Sequence, residues 1–149
     1  SWLSTVDSFS MQGQGIGPSF RFDSIEQHGS ELHFEFLGGS DWAVAYWSAV
    51  SIPEERSFQD FSGYEKLVLE MKGDRGGEAV QVHVKDADYP DDIAPVSVEL
   101  TLSEEWQTYE IDLDEFAPND LSRLHVVLGF LIFPARDPLE FSVRNAAYR

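Results

Sequence analysis

The stretch DWAVAYW, residues 41–47, holds two tryptophans and a tyrosine in a chain with only four tryptophans. Flat aromatic faces lie well on patches of C–H bonds, and Trp and Tyr do so at low entropic cost because few torsions set the whole ring. Strand alternation would put Trp42, Val44 and Tyr46 on one side and Ala43, Ala45 and Trp47 on the other. Two rings four residues apart are spaced like successive units of an extended chain. A lone ring among alanines suits a core as well as a platform, so the parity stays open.

A second row of chemistry lies in EAVQVHVKD, residues 78–86. Val80, Val82 and Val84 must turn inward, so Gln81, His83 and Lys85 share the outer side. An amide, an imidazole and an ammonium can bond hydroxyls; they also make an ordinary solvated strand face. Tyr89 in DADYPDD and Arg136 in FPARDP sit on loops able to close the rim of a groove. The candidate ligand residues are therefore Trp42, Tyr46, Trp47, Gln81, His83, Lys85, Tyr89 and Arg136. Rings plus hydroxyl-bonding neighbours on one sheet face suit a sugar chain.

Catalytic constellations are weaker. Asp86, Asp88, Asp91 and Asp92 crowd one loop, and a glycosidase needs only two carboxylates across a cleft. In a chain with 27 acidic residues such pairs arise by chance. The loop lacks the glycine and terminal glutamate of an EF-hand. His28, His33, His83 and His125 are far apart, without HExxH or HxH spacing. No GxSxG elbow occurs, and GQGIG has no strand before it or helix after it. The expectation is a protein without enzymatic activity.

Ten basic residues against 27 acidic give a net charge of -17, a field that repels phosphate backbones and anionic lipid. Nucleic acid and membrane are poor partners, while a neutral ligand loses nothing. With no cysteine, disulfides and thiolate metal sites are excluded. No apolar run reaches about 18 residues. SWLSTVDSFS lacks the features of a signal peptide, and the absent initial methionine suits an excised module or a mature secreted chain.

These candidates must be positioned by strands. Period-two patterning recurs through FRFDSI, ELHFEFLG, AVAYWSAVSI, KLVLEMKG, EAVQVHVKD, PVSVELTL, QTYEIDLDEF, LHVVLGFLIF and LEFSVRNAAY. LHVVLGFLIF is apolar on both parities, as a central strand covered on both faces would be. PEERSFQDFS and DEFAPNDLSR could each hold one helical turn. Short antiparallel strands with one solvated face predict an all-β sandwich, a jelly roll, with residues 1–149 as a single domain.

At GYEKLVLEMKGDRGGEAVQVHVKD the order of features becomes specific: a strand ending in KGD, a turn carrying GGE, then alternating valines. TLSEEWQTYEIDLDEF is similar to a "T-x-E-W-x-x-Y-x-I-x-L" segment, and DLSRLHVVLGFLIF with LEFSVRNAAYR resembles the closing strands. From Asp7 to Tyr148, most strongly from Gly63 to Leu113, the chain resembles bacterial carbohydrate-binding modules of the galactose-binding-like β-sandwich superfamily.

The resemblance implies a non-catalytic module that binds plant polysaccharide or oligosaccharide, with β-glucan-type chains favoured. It would serve a covalently attached catalytic domain outside the cell. The same fold also serves as a protein-interaction or assembly domain, and a small glycosidase is a further alternative. It assigns Trp106 and Tyr109 to packing. Many relatives hold a structural calcium between an acidic residue near the first strand and an aspartate in the last. Asp7 and Asn145 are the positions that correspond, with Asn145 and its neighbour Arg144 departing from the pattern.

Overall fold

The computed structural model describes residues 24–29, 31–39, 43–48, 58, 60–89, 95–132 and 137–149. Nine strands run through them: β1 (Ser24–His28), β2 (Glu31–Phe36), β3 (Ala43–Ser48), β4 (Lys66–Gly73), β5 (Ala79–Asp86), β6 (Ser97–Thr101), β7 (Gln107–Asp112), β8 (Leu124–Ile132) and β9 (Leu139–Tyr148). They form a five-stranded sheet, β1-β2-β9-β4-β7, and a four-stranded sheet, β3-β8-β5-β6. Among the described residues the seven strand pairings are all antiparallel, as the alternating patterns require. Of FRFDSI, Ser24 and Ile25 open β1, and residues 20–23 lie outside the described residues. Two short 3-10 helices, Leu113–Phe116 and Leu121–Arg123, fall in and just before DEFAPNDLSR.

Alternation fixes which side of each strand is dry. Leu32, Phe34 and Phe36 of β2, Leu67, Leu69 and Met71 of β4, and Val80, Val82 and Val84 of β5 are buried in one core cluster. The strand read as covered on both sides is β8, flanked by β3 and β5 and buried at every position except Leu124's neighbour His125. Strands β6 and β7 stand at sheet edges, and Val98, Leu100 and Tyr109 are correspondingly only partly buried.

The sheets are joined by rings. Trp47 comes from β3, Phe130 from β8, Phe34 from β2 and Phe141 from β9. Phe34 stacks on Phe141 at 4.7 Å and meets Phe130 edge-on at 5.3 Å. Trp47 meets Phe34 at 6.3 Å and Phe130 at 5.8 Å, both edge-on. Such pairs each add about 0.5–1.5 kcal/mol beyond area burial. Tyr148 of β9 crosses the sandwich, its hydroxyl donating to the Val127 carbonyl. Trp47 is therefore core, 1% exposed, and its candidacy as a ligand platform is corrected. Ala43 and Ala45 on the same side leave room for its ring.

Candidate functional site

With Trp47 inward, Tyr46 turns to the outer side of the four-stranded sheet. Residues directly opposite one another in an antiparallel pair share a face. Tyr46 of β3 is opposite Gly129 of β8, Gly129 is opposite His83 of β5, and His83 is opposite Ser97 of β6. Tyr46, Gly129, His83 and Ser97 thus form one row. Strands are about 4.8 Å apart, so Tyr46 and His83 flank the glycine with backbones roughly 10 Å apart. The next row is Val44, Leu131, Gln81 and Glu99. Lys85 is opposite Val126 on the other side of the central row.

Tyr46, Gln81 and Lys85 are half-buried and Glu99 is exposed. The ammonium of Lys85 stands 5.7 Å from the centre of the Tyr89 ring. Ser97 donates through its hydroxyl to the Gln81 side-chain oxygen at 3.0 Å, bracing the amide. Four of the predicted residues are therefore brought together on one face, with Tyr89 at its edge. Trp42 and Arg136 lie outside the described residues.

His83 departs from expectation in one respect. It occupies the outer parity but is only 2% exposed, not a rim group in water. Gly129 explains its posture: a methyl group built there would lie 2.3 Å from both Cε1 and Nε2 of the imidazole. The ring fills the volume that any larger residue at 129 would take. Burial, reinforced by the Lys85 ammonium, lowers its pKa to about 3, so the imidazole is neutral at physiological pH. Val44, Val126 and Leu131 share this face and are also buried, although they stand apart from the main core cluster.

The loop carrying Tyr89 is built by its acidic residues. Asp86 accepts from the backbone N–H of Asp88 at 2.9 Å and of Asp120 at 2.8 Å, while the Asp86 N–H donates to the Asn119 side chain at 3.0 Å. Asp88 pairs with Arg123 at 3.6 Å. These two carboxylates shape a turn; Asp91 and Asp92 lie outside the described residues.

The calcium positions separate similarly. Asp7 lies outside the described residues. Asn145 is exposed in β9 with φ of 52°, a left-handed conformation that asparagine tolerates well. The pairing of β4 with β9 slips by one residue there, so Asn145 belongs to a bulge, and its amide donates to the Glu70 carboxylate. Among the described residues no cluster of three or more His, Asp or Glu side chains is placed to hold a metal ion.

Sequence reasoning missed three members of the face. Ser97 and Glu99 were legible, since an inward Val96, Val98 and Leu100 turns them outward. Gly129 also carried a signal, because a glycine inside a buried strand marks a close approach. Trp106 was placed in packing and does pack, but on the outer side of the five-stranded sheet. It is partly exposed there, its ring centre 4.0 Å from the Arg144 guanidinium and 5.1 Å from the Lys72 ammonium. Tyr109 packs against the core edge and donates to the Thr101 carbonyl at 3.1 Å.

A jelly-roll sandwich that gathers a ring, an amide, an imidazole and an ammonium on one sheet is a ligand-binding module in its architecture. Residues 4–148 match Carbohydrate binding domain 30, and the chain belongs to that family. It is a carbohydrate-binding module.

Solved structures share the fold at low identity. The family 30 carbohydrate-binding module of a cellulosomal cellulase of Clostridium thermocellum is 16% identical with a TM-score of 0.61, covering 95% of this chain and 89% of that one. The family 11 module from Clostridium thermocellum, solved in complex with a β-1,3-1,4-mixed-linked tetrasaccharide, is 15% identical with a TM-score of 0.66, covering 98% and 91%. A family 29 module is 17% identical with a TM-score of 0.55, covering 89% and 80%. No curated protein sequence matches the chain.

Proposed function

We propose that this module binds a β-linked glucan chain along the outer face of the four-stranded sheet, without catalysis of its own, and holds an attached catalytic domain close to polysaccharide outside the cell. The observation that carries the reading is the row Tyr46, Gly129, His83 and Ser97, flanked by Gln81 and Lys85. A ring that can stack on the C–H face of a pyranose stands near the half-buried Gln81 amide and Lys85 ammonium, which can bond its hydroxyls. Family membership supports the ligand class, and the mixed-linkage tetrasaccharide in the family 11 structure supports a β-glucan in particular. The cellulosomal cellulase that carries the family 30 relative supports the attached enzyme. Tethering raises the local concentration of such an enzyme at its substrate, so modest affinity suffices.

Affinity electrophoresis tests the reading. Retardation in gels containing mixed-linkage β-glucan is expected, with xylan and mannan as comparisons, and unchanged mobility in all three would refute it. Incubation of the isolated module with the same glucan should release no reducing sugar.

A further inference from the structure

We propose that Gln81 and Glu99, neighbours across β5 and β6, are the specificity-determining pair of this face. The Gln81 amide donates to one sugar hydroxyl, the Glu99 carboxylate accepts from the next, and Ser97 is the positioning residue that sets the amide. The inference rests on the glucan reading of the face and adds which side chains select the ligand.

Gln81 and Glu99 are directly opposite in their antiparallel pair, with Ser97 two residues before Glu99 on the same side. Opposite residues have Cβ atoms about 4.5–5.5 Å apart, so both side chains can meet one sugar unit. The Ser97 hydroxyl donates to Gln81 Oε1 at 3.0 Å. With Oε1 turned to Ser97, Nε2, which only donates, lies on the other limb of the amide. The Glu99 carboxylate, in contrast, only accepts. It is exposed on an edge strand, and among the described residues no side-chain hydrogen bond or ion pair engages it. Lys85, four residues from Gln81 along β5, is roughly 13 Å of strand away.

Neither member of the pair is sealed. Gln81 and Ser97 are half-buried, and Glu99, with Ala79 on the same side, lines a cavity of about 540 Å³ bounded also by Gly77, Ile132 and Pro138. Ligand pockets run from about 300 to 1,000 Å³, so a sugar lying against Glu99 has room. A donor beside an acceptor matches two hydroxyls on adjacent ring carbons, one accepting from Nε2 and the other donating to the carboxylate. The second bond is charge-assisted and the stronger. In a 1,4-linked β-glucose unit the O2 and O3 hydroxyls are both equatorial and stand side by side. In β-mannose O2 is axial, so one of the two protein groups goes unmet.

Calorimetry with a mixed-linkage glucan tetrasaccharide and with mannotetraose tests the pair. The parent is expected to favour the glucan at least about tenfold. Glu99→Ala should weaken glucan binding about tenfold and leave mannotetraose within about twofold. Ser97→Ala, which releases the amide, should lower the preference for glucan at least about threefold, and Ser97→Thr, which keeps a hydroxyl, should restore it. Near-UV circular dichroism identifies the variants that keep the fold. Glu99→Gln, similar in shape but uncharged, should shift binding in the same direction and decides the outcome if alanine disturbs the edge strand. The parent's preference retained in the Glu99 variants would overturn the pair, whatever their melting temperatures, and its retention in Ser97→Ala would overturn the positioning role. Equal binding of the two sugars by the parent would also overturn the inference. Absence of parent binding to any glucan would instead bring down the reading of the face itself.

Discussion

On the outer side of the five-stranded sheet, charge answers charge. Arg144 stands 3.7 Å from Glu31 and 3.4 Å from Glu70, Lys66 meets Glu110 at 3.3 Å, and His33 lies between the Ser142 hydroxyl at 2.9 Å and Glu140 at 3.8 Å. Trp106, a partly exposed ring there, rests on two cations. On the opposite sheet the described residues of the corresponding rows are Tyr46, Gly129, Ser97, Gln81 and a buried, uncharged His83 beside buried Val44, Val126 and Leu131, with Lys85 and Glu99 as their charged members. A sugar displacing water from the first face must strip paired ions of their hydration. On the second it exchanges water hydrogen bonds for its own, at far smaller desolvation cost. Under the proposed reading, the same antiparallel strand geometry gives an ion-paired exterior on one sheet and a recognition surface on the other.

The largest effect should come from separating neighbours in β3. Trp47→Ala removes the ring that ties both sheets together and is expected to cost about 3–5 kcal/mol in urea unfolding. Tyr46→Ala, one residue away, should cost under about 1 kcal/mol of stability while weakening glucan affinity about tenfold or more. Equal losses of stability would erase the distinction between core and face.

Next comes acid sensitivity. Below pH 6.5 the unfolded chain protonates His83, and the folded state refuses that proton until about pH 3. The stability it contributes is complete above pH 6.5 and is lost as pH falls through this window, by up to about 1.4 kcal/mol per pH unit. Chemical unfolding of parent and His83→Asn at pH 7 and 4.5 should show the steeper decline in the parent. Parallel declines would assign the acid sensitivity elsewhere.

A smaller effect is expected from Trp106→Ala, which loses contacts with Arg144 and Lys72 worth about 1 kcal/mol but should bind glucan within twofold of the parent. The smallest concerns Glu140. It is directly opposite Glu35, and the hydrogen bond between the two carboxyls, then partial burial and the charge of Asp74, raise its pKa. The stabilisation tied to its protonated form fades as pH rises through the carboxylate range. Glu140→Gln should flatten that part of the stability profile, and an unchanged profile would remove the pair from the account.

Much of this was legible in the chain. Valine alternation in β5 placed Gln81, His83 and Lys85 on one side, and the two-sided apolarity of β8 announced its central position. The parity of DWAVAYW was not legible, because alanines beside Trp47 and a valine beside Tyr46 fit either orientation. Register decided it: Tyr46 faces Gly129, which faces His83. Nor could alternation reveal that an outer-parity histidine is sealed, since that depends on a glycine 46 positions later on a different strand. At Asn145 the alternation gave no sign of the bulge and left-handed backbone that the β4–β9 pairing places there.

The most direct test of the central claim is a calorimetric titration of mixed-linkage β-glucan into Tyr46→Ala and Trp106→Ala side by side. Binding about tenfold or more weaker in the first, and within twofold of the parent in the second, is the predicted result. Loss of binding in the Trp106 variant with the Tyr46 variant unaffected would place the ligand on the five-stranded sheet and contradict it.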